Sequence, residues 1–197
     1  MICRVFHKLP ISVLILAFVI VGTSCGATAD EVPLSNTTTW NTVNNSYIFC
    51  FPLVLMDATM KKFTNTEQAT SVQAPVNQLI HSQTLATPNE TNVVTPNVDT
   101  VYSQAFLNLS NSALVFVKPP SDRFCSVQVM DAYTNTIAVI GSGGQGDPSK
   151  KQVCLLTGKN YHGIVPDDMI HIQVPTDMAW ILVRTLENGS SDQQNVS

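Results

Sequence analysis

From Thr100 to Leu186 the apolar residues recur at every second position, in short runs broken by turn residues, and that period decides the fold class. Val101, Ser103, Ala105, Leu107 and Leu109 fall on one face of a first strand; Tyr102, Gln104, Phe106 and Asn108 fall on the other. Asn111-Ser112 turns the chain into 114–117, and Pro119-Pro120-Ser121-Asp122 turns it again into 124–130, where Cys125, Val127 and Val129 share a face. Runs at 137–140, 152–156, 169–174 and 178–186 follow, the last apolar on both faces and therefore central. Short strands with turn signals every eight to twelve residues predict a mainly-β chain built as a sandwich. Leu107, Val115, Val127, Val129, Ile181 and Val183 are the expected core between the sheets.

Upstream the pattern differs. Residues 30–46 are β-branched and Asn-rich and read as an extended lead-in. Between residues 47 and 63, Phe49, Leu53, Met56, Met60 and Phe63 recur at three- and four-residue spacing, one apolar helical stripe. Pro52 interrupts it, so the helix either starts or bends there. Residues 64–95 read as a long loop with some local structure, tied to the body at Asn77 and His81. The domain proper is expected over 47–187, with 188–197 a polar, featureless tail.

The first 29 residues read as a leader outside the fold. Arg4 and Lys8 precede an uncharged apolar run, and Ala27-Thr28-Ala29 fits a signal-peptidase site before Asp30. The competing reading is an uncleaved membrane anchor, since residues 9–29 carry no charge. Cleavage removes two basic residues, leaving 8 basic against 14 acidic, a balance of −6. No basic cluster larger than Lys61-Lys62 or Lys150-Lys151 remains, which argues against a nucleic-acid partner. Sequons at Asn36, Asn44, Asn89, Asn108, Asn188 and Asn195 fit a secreted, glycosylated chain, although an Asn/Ser/Thr-rich sequence also makes sequons by chance. Cys50, Cys125 and Cys154 follow the leader. They allow one internal disulfide at most, and Cys125–Cys154 is the expected pair because both lie in β segments.

The densest polar cluster is Pro96-Asn97-Val98-Asp99-Thr100-Val101-Tyr102-Ser103, a proline turn opening into an apolar strand. Asn97 and Asp99 after proline read structurally as turn formers that cap their own backbone. Functionally, Asp99, Thr100 and Tyr102 offer a carboxylate and two hydroxyls to a ligand. Asp131 shares strand parity with the buried face of 124–130 and needs a partner there, Arg123 or Arg184. Arg184 closes the most apolar strand; it either bridges Asp131 architecturally or receives an anionic or sugar ligand. The site expected from these patterns gathers Asn97, Asp99 and Tyr102 with Arg184, and with His81 or Asp131, at one end of the sandwich. His81, His162 and His171 lack any metal-ligand spacing, and no cofactor or metal is implied. The Gly-rich run 141–146 is followed by Asp147-Pro148, not Lys-Ser/Thr, so it reads as a loose hairpin connection. No nucleophile elbow is present.

Asn77-Gln78-Leu79-Ile80-His81, the Pro96–Ser103 block, Asp122-Arg123-Phe124 and Val129-Met130-Asp131 together resemble the family of the domain of unknown function 1254. The resemblance spans roughly 47–187. It implies an immunoglobulin-like β-sandwich preceded by a helix and a long irregular lead-in, adds Asn77 to the candidate residues, and implies a second β domain, of unknown function 1214, beyond residue 187. The chain reads as a single-domain variant or a truncated gene model. The family pattern has an Arg and threonines after the Gly-Ser that this chain lacks, so no role is carried over to the 141–146 loop. The family has no settled activity, which leaves three expectations: a secreted domain binding a small polar ligand or glycan, an extracellular enzyme needing the second domain, or a surface interaction protein.

Overall fold

The computed structural model describes residues 37–89 and 95–192. The chain divides into two units, Met1–Asn45 and Ser46–Ser197. Of the first, the opening turns of one helix are described; the architecture below is that of the second. The leader, Asn36 and Asn195 lie outside the described residues.

Among the described residues the chain is mainly β: one α-helix, α1 (Thr37–Thr64), then eight strands, β1 (Ile80–His81), β2 (Thr100–Asn108), β3 (Leu114–Lys118), β4 (Cys125–Asp131), β5 (Thr136–Gly141), β6 (Gln152–Thr157), β7 (Ile170–Gln173) and β8 (Met178–Leu186). They form a five-stranded sheet in the order β1-β2-β8-β4-β5 and a three-stranded sheet in the order β3-β6-β7. β8, apolar on both faces, is the central strand of the larger sheet, as such a strand must be to bury both sides. The smaller sheet holds a parallel pair, β6 with β7. Residues 158–169 supply the long connection that parallel strands require.

The core lies between the sheets. Ala105, Leu107, Val127, Val129, Ala138, Ile140, Ala179 and Ile181 from one pack with Cys154, Leu156 and Ile172 from the other. Of the expected core, Leu107, Val127, Val129 and Ile181 are inside, and Val183 packs partly buried against them. Val115 is not. β3 turns Leu114, Phe116 and the buried Lys118 inward, leaving Val115 56% exposed. Lys118 reaches past the core edge and donates to the carbonyls of Pro119 and Pro148, both at 3.0 Å, which satisfies its buried ammonium.

Two expectations about local structure change. The helix begins at Thr37 and runs through Pro52, so residues 37–46 are not an extended lead-in. Threonine hydroxyls bond the carbonyl four residues back, Thr42 to Thr38, Thr59 to Leu55 and Thr64 to Met60, which satisfies them within the helix. The tail, too, has structure. Ser190–Asp192 forms a 3-10 turn, and the Asp192 carboxylate receives both Arg123 terminal nitrogens and the Asn188 amide.

Candidate functional site

The outer face of the five-stranded sheet, turned away from the core, is built in rows by the registers of β2, β8 and β4. Phe106, Trp180 and Met130 stand side by side at one end; Gln104, Leu182 and Gln128 form the next row; Tyr102, Arg184 and Ser126 form the last. The rows grade from apolar to polar. α1 crosses the apolar end: Phe63 stacks on Phe106 at 6.1 Å, Phe106 stacks on Trp180 at 5.4 Å, Phe49 meets Tyr133 at 5.4 Å, and Met56 is buried. Beyond it Tyr102, Gln104, Gln128, Leu182 and Arg184 are half-buried and Ser126 is buried.

Within those rows the side chains hold one another. Arg184 Nη1 donates to Gln128 Oε1 at 2.9 Å, and the guanidinium carbon lies 5.8 Å from the Tyr102 ring centroid. Trp180 Nε1 donates to Gln104 Oε1 at 3.2 Å. Among the described residues Arg184 forms no ion pair. A guanidinium fixed by a neutral amide and an aromatic ring keeps its charge and most of its donors for a further group. Thr100, next on the same face of β2, is buried, and its hydroxyl has no partner among the described residues.

Tyr102 and Arg184 are therefore brought together, and Gln128, Gln104 and Trp180 join them. The other expected members are elsewhere. Asn97 Oδ1 accepts the Asp99 amide at 2.9 Å, and the Asp99 carbonyl accepts the Glu187 amide, so this segment is a turn that docks the start of β2 on the end of β8. Asp99 itself is exposed. Asp131 pairs with Ala179, five residues along β8 from Arg184 or about 16 Å away, too far for the expected bridge. Its buried carboxylate is satisfied locally by the amides of Tyr133 (2.8 Å) and Asn135 (2.9 Å) and by Asn135 Nδ2 (3.0 Å). Arg123 serves Asp192 instead, and that hydrogen bond raises the arginine's pKa further. His81 pairs with Ser103 and so lies on the face opposite Tyr102; its Nδ1 is 2.8 Å from Ser103 Oγ. Asn77 sits with positive φ at the far end of β2, where its amide donates to Phe106 O and its Oδ1 accepts the Asn108 amide, both at 2.8 Å. It extends the β1–β2 edge and is structural.

The three cysteines among the described residues, Cys50, Cys125 and Cys154, are free. Cys125 lies in β4 of the larger sheet and Cys154 in β6 of the smaller one, and the expected disulfide between them is not made. Burial pushes the Cys154 thiol's pKa up. The glycine-rich connection returns β5 toward β6, and Gly141 is required there: its φ is +87° and a Cβ would stand 2.5 Å from the Cys125 carbonyl oxygen. A shallow cleft of about 190 Å³ lies at the opposite end of β2, lined by Leu109, Asn111, Tyr161, His162 and Asp177. It is smaller than ordinary ligand pockets and does not border residues 97–102. No group of three or more His, Cys, Asp or Glu among the described residues is placed to hold a metal.

The fold is similar to that of the VPA0106 protein from Vibrio parahaemolyticus, with a TM-score of 0.54 and 17% identity over 76% of this chain and 33% of that one. This chain thus spans about a third of that protein's length, and at this identity the likeness concerns the fold alone. No curated protein matches the sequence. Residues 76–197, more than half of the chain, match the family described as Protein of unknown function (DUF1254), and the chain belongs to that family.

Proposed function

We propose that this chain is a secreted binding domain whose polar sheet face takes a small polar ligand, an acidic or neutral sugar in particular. The observation that supports this reading is the state of Arg184. It stands on the uncovered half of the face, held by Gln128 and beside the Tyr102 ring, with no carboxylate to neutralise it among the described residues. An aromatic ring, amides and a guanidinium on one rigid surface match the stacking face, hydroxyls and carboxylate of an acidic sugar. A flat face in place of a deep pocket fits modest affinity. Binding of uronic acids, sialic acid and neutral hexoses, compared between the native chain and Arg184→Gln, tests it. The substitution should weaken binding at least tenfold, about 1.4 kcal/mol, with thermal unfolding nearly unchanged. Equal affinities, or no binding by either protein across the panel, would contradict the reading.

Secretion belongs to the same proposal and is supported by the leader pattern before Asp30 and by the sequons. No helix among the described residues is long and apolar enough to cross a membrane. N-terminal sequencing of exported protein should begin at Asp30; a retained Met1 would overturn cleavage.

A further inference from the structure

α1 carries a second apolar stripe on the side away from the sheet. At about 100° per residue, Leu53, Met56, Met60 and Phe63 gather on one side of the helix, where they are buried or half-buried. Tyr47, Ile48, Phe51, Val54 and Leu55 gather on the other, between 49% and 66% exposed. From Thr37 to Met56 the helix has no charged residue, whereas a surface helix ordinarily carries its charges on the side away from the core.

We propose that this stripe is the contact between two copies of the chain, packed helix against helix about a two-fold axis near Phe51, the midpoint of the five exposed side chains. Their uncovered area is roughly 500 Å², at the upper end of what monomers leave exposed. Two such patches set against each other approach the ~1,000 Å² of total buried surface that a specific interface needs. The stripe suits itself: a two-fold contact sets the same patch against its copy, and an uncharged patch meets no like charge there. The nearest charges, Asp57 and Lys61, already neutralise each other at 2.6 Å. A membrane surface fits less well. An interfacial helix pairs its apolar face with a polar one rich in Lys and Arg, while here the opposite face is packed on the sheet and the chain is acidic.

Cys50 is exposed on the flank of the stripe, about 100° around the helix from Phe51, whereas Cys125 and Cys154 are buried, so Cys50 reports the contact through a short cross-linker. The experiment uses the full chain with Cys3 and Cys25 replaced by serine. Sedimentation at about 10 μM should give a dimer, and a short bismaleimide should join two chains through Cys50. Val54→Glu should yield a monomer with at least tenfold less cross-linked product and an unchanged circular dichroism spectrum. Leu55→Lys, also at an exposed position, should do the same if Val54→Glu folds poorly. A native chain that is monomeric at about 100 μM, a dimer that survives both substitutions, or a monomer that co-sediments with phosphatidylcholine vesicles would overturn the proposal.

Discussion

Replacing Ile181 with alanine is the sharpest probe of how the two sheets are held. Ile181 is 2% exposed on the central strand, flanked in register by Ala105 of β2 and Val129 of β4, both buried. The substitution deletes three carbons, a transfer loss of about 2.4 kcal/mol at about 0.8 kcal/mol each. Alanine already stands on the β2 side, so little can move in to fill the space. A residual cavity of about 60 Å³ adds about 1.5 kcal/mol at roughly 24 cal/mol per Å³. The expected loss is therefore about 4 kcal/mol, on the order of 8–16 °C in melting temperature for a domain of this size. Urea unfolding followed by tryptophan fluorescence should show the midpoint falling while the slope stays constant. Val115→Ala, on the outward face of β3, is the matched control and should cost under about 0.5 kcal/mol. Similar losses at the two positions, or a loss below about 1 kcal/mol at Ile181, would refute the assignment of the core to the space between the sheets.

Asp131→Ala should cost about 1–3 kcal/mol, because it strips the acceptor that holds the Tyr133 and Asn135 amides in the turn after β4; an unchanged melt would mean that Asp131 is not structural. With Cys3 and Cys25 replaced by serine, a disulfide-exchange reagent at neutral pH should consume one thiol quickly, that of Cys50, and the other two only on global unfolding; two fast thiols would show that β4 or β6 opens locally. Burial raises the Cys154 pKa, so this group leaves stability unaffected at pH values where both states keep the proton. Above the unfolded thiol range, about 8.5, the unfolded chain loses its proton first and stability falls as pH rises toward the folded value. Cys154→Ala should remove that part of the alkaline slope in urea midpoints, and an identical slope would contradict it.

The strands of the larger sheet were legible because each buries one face, which leaves a period of two in the sequence, and β8 was legible as central because it buries both. Strand neighbours were not. Alternation places Gln128 and Ser126 on the face opposite Val127, yet only the order β2-β8-β4 sets them beside Arg184. For the same reason Asp131 read as a partner for an arginine when its partners are amides two and four residues ahead, a local turn that spacing alone does not reveal. Val115 was misplaced because β3, with alternating Leu, Val, Phe and Val, is apolar on both faces and leaves the inward one undecided. The start of α1 is not marked in the sequence because threonine and asparagine side chains compete for backbone hydrogen bonds and lower helix propensity.

A ¹H–¹⁵N correlation titration of the native chain with sialic acid and galacturonic acid tests the proposed binding face most directly, since its key side chains carry their own N–H signals. The Arg184, Gln128, Gln104 and Trp180 side-chain resonances should move together and saturate, along with the backbone around Tyr102. Shifts confined to the Leu109–Tyr161–Asp177 cleft at the other end of β2, or no saturable shift with either sugar, would contradict it.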